Sequence, residues 1–134
     1  MKKPLKKKRL ISIPSLKKRA QTVFNNYIRD RDKIDDESFK CISCQRVLPL
    51  NKCNAGHLFP VKGNNRMRYD ERNVNSECIH CNGFNEAHVI WYSIHLKEKI
   101  GEEKFTQLLN DVVNQSRIEW TREELNEIIE KYKV

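Results

Sequence analysis

The chain has 134 residues, a formal net charge of +8, 38% hydrophobic and 33% charged residues, and 8% aromatics. That is about one domain's worth of chain, and no apolar run approaches the roughly 18–20 residues of a membrane span. These counts exclude a membrane protein and a large multidomain enzyme. No apolar segment follows the basic start, so no export signal is expected. The reading is a small soluble domain, short of core and confined to the cytoplasm.

The charge is uneven. Residues 1–20 carry nine Lys/Arg and no acid, and residues 40–72 carry seven Lys/Arg against Asp70 and Glu71. Residues 86–134 are acidic on balance, with seven basic groups against ten acidic ones. Two basic segments on a nearly neutral body point to a polyanion. Nucleic acid is favoured over an anionic membrane, because the basic start lacks the aromatics of an interfacial anchor.

Residues 1–14 read as a basic, irregular arm interrupted by Pro4 and Pro14. A helix is expected over about 16–33, with Ser15 as N-cap and Leu16, Ala20, Val23, Phe24, Tyr27 and Ile28 as its apolar face. Residues 15–35 thus form a helical unit, 36–100 the central unit, and 101–134 a C-terminal helical segment. Short strands are expected over 39–61. A polar stretch over 62–77 turns at Gly63, Asn64 and Asn65. The sequence CIHC opens a helix through Asn82, and a longer helix follows over about 86–100, with Ala87, Ile90, Trp91, Ile94 and Leu96 as its buried side. Gly101 ends it. Helices over 102–115 and 121–133 complete the chain, the second opened by a capping-box pattern at Thr121 and Glu124.

Five cysteines carry the clearest chemistry. Cys41/Cys44 and Cys78/Cys81 are two Cys-x-x-Cys pairs separated by 33 residues. Each two-residue gap lets one turn present two thiolates to one ion, and two such turns close a four-sulfur shell for structural zinc. Zinc would also supply folding energy that a small core lacks. Cys53 is left over as a small buried thiol. The stretch between the pairs holds one histidine, His57, followed by Asn73, and Asn82 comes directly after the last cysteine. Zinc would clamp a hairpin carrying His57 to a helix carrying Asn82, so that the three side chains can converge. His80 reads as an exposed turn residue. His88, His95, Trp91 and Tyr92 read as structural residues of the long helix.

The two knuckles, AGH, FNNYIRDRD (24–32), RMRYDERNVNSECIHCN (66–82) and WYSIHLKEKIGEEKF (91–105) together resemble the NinG/Rap group of phage recombination endonucleases. The resemblance covers roughly residues 16–110. It implies an α+β fold: a small zinc-stabilised ββα-metal core of the HNH type, with flanking helices. It also implies hydrolysis of phosphodiester bonds in branched DNA such as Holliday junctions, in the host cytoplasm if the chain is phage-encoded. On that footing His57 is the general base and Asn73 orients it. Asn82 is a ligand of one catalytic Mg²⁺ or Mn²⁺, because hard cations take oxygen ligands. Many HNH fingers carry Asp immediately before the histidine, and here that position is Gly56. Asn54, Asp70 and Glu86 are the candidates to fill the gap.

DNA contacts are expected from Lys6, Lys7, Lys8 and Arg9 in the arm, from Lys17, Lys18 and Arg19, and from Arg66, Arg68 and Arg72 near His57. A homodimer is expected, since symmetric cutting of a four-way junction needs two active sites. No membrane or small-molecule substrate is implied. The alternatives are a non-catalytic zinc-stabilised DNA-binding recombination module, and a general HNH nicking enzyme.

Overall fold

The computed structural model describes residues 9–84 and 87–134. Lys6, Lys7, Lys8 and Glu86 lie outside the described residues. Helix α1 (Ile13–Asp32) begins earlier than the sequence suggests. Ser12, not Ser15, is the N-cap, accepting from the Ser15 backbone N–H at 3.3 Å. Pro14 sits inside the first turn, where no intrahelical N–H is required and its fixed φ suits the helix. The basic arm therefore ends two residues sooner than expected.

Two small antiparallel sheets follow. Strand β1 (Ser38–Lys40) pairs with β2 (Val47–Pro49), and β3 (Cys53–His57) with β4 (Val74–Cys78). In the second sheet Cys53 faces Cys78, Asn54 faces Glu77, Gly56 faces Asn75 and His57 faces Val74. Strand β4 falls in the stretch read as polar. Its five residues are all buried, and Asn75, Ser76 and Glu77 mask the apolar alternation that would have marked it as a strand. Helix α2 (Ile79–Phe84) continues directly from β4. Then come α3 (His88–Ile100), α4 (Glu102–Val113) and α5 (Arg122–Tyr132). The result is a mixed α+β domain.

Local chemistry sets the helix ends. Gly101 ends α3 at φ 89°, a left-handed conformation that favours glycine. Thr121 opens α5 with both bonds of the expected capping box. Packing then sorts the helices. The stripe Leu16, Ala20, Phe24 and Ile28 of α1 is buried against Leu125 and Tyr132 of α5, with Tyr69 and Val74 in the same core. Each large side chain buried there is worth about 1.5–3 kcal/mol. A second core joins Tyr92 and Leu96 of α3 to Leu108 of α4, Ile42, Leu58 and Met67. The apolar faces of α4 and α5 are thus used within the chain.

Of the side of helix α3 expected to be buried, Leu96 is buried and the other four residues are not. Tyr92 and Leu96 are buried, whereas Ile90, Trp91 and Ile94 are exposed and Ala87 lies on the outside. The core meets only one side of the helix, and the apolar residues on its other side outnumber those the core can take. A polar lock ties α3 to α1 and β4. Lys99 bonds Asp32 at 2.9 Å and Asn75 at 2.8 Å, and Arg31 grips Asp32 with two nitrogens and reaches Asn75 at 3.0 Å. Burial raises the Asp32 carboxyl, but Arg31, Lys99 and the Ser76 N–H outweigh it and hold the group below the usual carboxylate range.

Candidate metal centre and adjoining cleft

The two knuckles meet. The sulfurs of Cys41, Cys44, Cys78 and Cys81 all lie within 4.8 Å of one another, and Cys44 and Cys78 are 4.0 Å apart. A tetrahedral ion with metal–sulfur bonds of about 2.3 Å needs sulfurs about 3.8 Å apart. The cluster could therefore hold a metal ion such as zinc. Backbone N–H groups already point at the sulfurs: Cys44 and Cys78 donate to Cys41 at 3.4 and 3.3 Å, and Cys81 to Cys78 at 3.4 Å. The first knuckle closes because Gln45 takes a left-handed φ of 62° and its side chain bonds the carbonyls of Cys41 and Ile42. Burial raises the Cys44 thiol, but the Arg46 guanidinium outweighs it and brings the group down to about 7. Cys53 is buried beside the cluster, among Phe39, Cys41, Cys78 and Cys81, and outside the four-sulfur set.

His57 ends β3, and Asn82 sits on α2, just past the last cysteine. Both line one cleft of about 300 Å³, together with His88 and Val89 of α3. The His57 Nε2 lies 3.0 Å from the Arg68 carbonyl. A carbonyl only accepts, so Nε2 carries the proton and Nδ1 keeps a free lone pair. Burial lowers the His57 imidazole from its ordinary value; the Arg68 carbonyl opposes the shift and the Arg68 charge adds to it.

Asn73 is fully buried, and its amide engages the chain rather than the imidazole. It accepts from the Phe59 N–H at 2.8 Å and donates to the Phe59 and Met67 carbonyls at 3.1 Å each. It therefore pins both ends of the loop whose Arg68 carbonyl holds His57. Removing that amide leaves one buried backbone group, the Met67 carbonyl, and two half-buried ones on Phe59 short of a partner, each worth up to about 1–3 kcal/mol. Asn73→Ala is expected to lower unfolding stability by about 3 kcal/mol in a denaturant titration. A loss below about 1 kcal/mol would show that the loop holds without it.

The loop is anchored on its other side by the arginines expected to bind phosphate. Arg66 pairs with Glu124 at 2.7 Å and lies 4.0 Å over the Trp120 ring. Arg72 pairs with Asp70 at 2.7 Å and Asp111 at 2.9 Å. These two act as struts to α5 and α4, and Asp70 is committed to Arg72. Arg68 differs: its hydrogen bonds go to the neutral amides of Asn65 and Gln21. Lys17 pairs with Glu119, while Arg9, Lys18 and Arg19 are exposed.

Glu77, which the sequence does not single out, stands behind this cleft against its His88 wall. Glu77 on β4 is fully buried. Its Oε2 accepts from the Ser43 hydroxyl and sits 2.7 Å from His88 Nδ1, whereas Oε1 has no hydrogen-bond partner among the described residues. His88 is thus a wall of the cleft as well as a helix residue. A charged residue inside a strand is the one sequence signal for Glu77, and strand β4 itself was not legible. Asn54, opposite Glu77, shares its face of the sheet by register. Tyr92 fixes α3 over this corner, its hydroxyl donating to the Gly56 carbonyl at 2.7 Å.

The family model for the Bacteriophage Lambda NinG protein matches residues 1–134. The chain belongs to the NinG family. Among curated relatives, the protein ninG of Escherichia phage 933W is 33% identical over 115 residues, covering 86% of this chain and 53% of that protein. The protein ninG of Escherichia phage lambda is 31% identical over 115 residues, covering 86% and 52%. That of Salmonella phage P22 is 32% identical over 115 residues, covering 86% and 53%. The chain spans about half the length of these curated NinG relatives. No solved structure matches the chain. Among the described residues, no helix of this NinG-family chain is long and apolar enough to cross a membrane.

Proposed function

We propose that the chain is a metal-dependent DNA endonuclease of the HNH type, acting on branched recombination intermediates such as Holliday junctions. One observation carries the reading: a histidine with one nitrogen held by a backbone carbonyl, and the other without a hydrogen-bond partner among the described residues, shares a cleft with the Asn82 amide. Strand β3 pairs with β4, which ends on Cys78 of the four-cysteine cluster, and α2 carries Cys81 of the same cluster. In this reading the cluster binds one structural zinc, which fixes β4, the partner strand of β3, relative to helix α2.

His57 takes the proton of the attacking water through Nδ1, and the Arg68 carbonyl keeps the ring in that tautomer and orientation. Asn73 acts through the loop that carries this carbonyl. The Asn82 amide oxygen suits a hard divalent cation, Mg²⁺ or Mn²⁺. The carboxylate oxygen of Glu77 that has no hydrogen-bond partner among the described residues suits the same kind of ion. A cation held by these residues would supply neutralisation of charge at the scissile phosphate and the departing 3′ oxygen. Arg68, Lys18, Arg19 and the basic arm supply backbone contacts, which read phosphate geometry rather than base sequence.

A homodimer would place two such sites on a symmetric junction. The test is a panel of four-way junction, flap, plain duplex and single strand, each with and without Mg²⁺ or Mn²⁺. Cation-dependent cutting that favours the branched substrates is expected. Equal cutting of plain duplex would indicate a general nicking enzyme. Binding of all four without cutting would indicate a zinc-stabilised DNA-binding module.

A further inference from the structure

We propose that Glu77 supplies the carboxylate of the cation site, reaching across the hairpin into the space that Gly56 leaves empty and meeting Asn82 there. The inference rests on the endonuclease reading and assigns a ligand that its sequence pattern lacks. Glu77 is fully buried, and only half of its carboxylate is satisfied: Oε2 takes Ser43 and His88, while Oε1 has no partner among the described residues. A buried carboxylate oxygen with no donor is costly, and native proteins rarely keep one without a reason.

The direction of Oε1 supplies that reason. A Cβ built on Gly56 would fall inside contact distance of Glu77 Oε1 and 3.2 Å from Asn82 Oδ1. Two oxygens from different elements, β4 and α2, thus converge on one spot beside the Gly56 backbone. Both are acceptors there, so they repel each other until something positive lies between them. A hard divalent cation does this, and a carboxylate plus an amide oxygen is a donor set such ions take. Asn82 is exposed, which leaves the outer side of the spot open to water ligands.

Gly56 follows from the same geometry. Any side chain at that position would occupy the volume the Glu77 carboxylate uses. The carboxylate absent from the residue before His57 is therefore present in space, delivered by the neighbouring strand. His88 holds the opposite oxygen of the same carboxylate, as groups around a metal site commonly orient their ligands.

The test uses the full chain loaded with zinc and no DNA. Mn²⁺ binding is followed by the loss of the free-ion electron paramagnetic resonance signal. The unsubstituted chain is expected to bind one Mn²⁺. Glu77→Gln, which keeps shape and removes charge, is expected to weaken binding at least tenfold while zinc content and circular dichroism stay unchanged. Should Glu77→Gln lose its zinc or its fold, Asn82→Ala on the exposed side of the spot carries the test, again with at least tenfold weaker binding expected. His57→Ala should bind Mn²⁺ as the parent does. A folded Glu77→Gln or Asn82→Ala chain with parental Mn²⁺ affinity would overturn the assignment, as would a parent chain that binds none. The latter would mean that the Asn82 amide turns its nitrogen toward Oε1. The two readings fail separately. Glu77-dependent Mn²⁺ binding without cleavage of any DNA keeps the site and removes the nuclease, whereas cleavage with Mn²⁺ binding indifferent to Glu77 does the reverse.

Discussion

Cys78→Ser is expected to give a chain that binds no stoichiometric zinc and lacks the parent's circular dichroism. Cys78 ends β4 and opens the turn into α2, and its sulfur accepts the Cys81 N–H. The sheet it anchors is two strands of five residues each, and such a hairpin is marginal without support. Structural zinc supplies on the order of 10–16 kcal/mol in small peptides, comparable to a domain's whole stability of about 5–15 kcal/mol. Losing one thiolate of four removes much of that and leaves three sulfurs, those of Cys41 and Cys81 buried and that of Cys44 half-buried, around a vacant corner. The same outcome is expected for Cys41, Cys44 and Cys81. Cys53→Ser is the control. Cys53 is buried beside the cluster but does not belong to it, so its replacement should cost about 1 kcal/mol and leave one zinc per chain. A folded, zinc-free Cys78→Ser chain would remove zinc from the account.

His57→Ala is expected to lower cleavage of a four-way junction at least a hundredfold, since a positioned general base contributes about 10²–10⁴ in rate. Zinc content, junction affinity and Mn²⁺ binding should stay close to the parent's. The split is diagnostic because, among the described residues, the imidazole bonds the Arg68 carbonyl and no salt bridge or helix cap runs through it. Asn73→Ala, by contrast, should lower stability and cleavage together. A His57→Ala chain that cuts at the parental rate would show that another group activates the water.

The parts of this protein that could be read from sequence are those set by local chemistry. Two Cys-x-x-Cys turns announce a four-sulfur shell because the spacing is fixed by the size of the ion, not by the rest of the fold. The capping box at Thr121 and the glycine stop at Gly101 depend on residues a few positions apart. Pro14 shows the limit of such signals, since proline breaks a helix interior and suits a first turn.

What could not be read depends on partners distant in sequence. Arg66 and Arg72 look like phosphate ligands until Glu124 and Asp111 are brought to them. The outward face of α3, with Ile90 and Trp91, looks like core until Tyr92 and Leu96 are seen to hold the buried side. Strand β4 is hidden in the sequence because its buried residues include an asparagine, a serine and a glutamate, whose partners come from distant segments: Arg31, Asp32 and Lys99 for Asn75 and Ser76, and Ser43 and His88 for Glu77. Gly56 looked like a missing ligand, and only the folded hairpin shows a carboxylate in its place.

Under the proposed function, this cleft cuts branched DNA. The most direct measurement is single-turnover cleavage of a labelled four-way junction by the zinc-loaded chain in Mg²⁺, with a chelator lane and the His57→Ala variant alongside. Cutting that requires the cation and disappears in the variant, while both chains bind the junction equally, is the predicted result. An intact junction, bound by both chains under Mg²⁺ and Mn²⁺ alike, would contradict the nuclease and leave a zinc-stabilised DNA-binding domain of the NinG family.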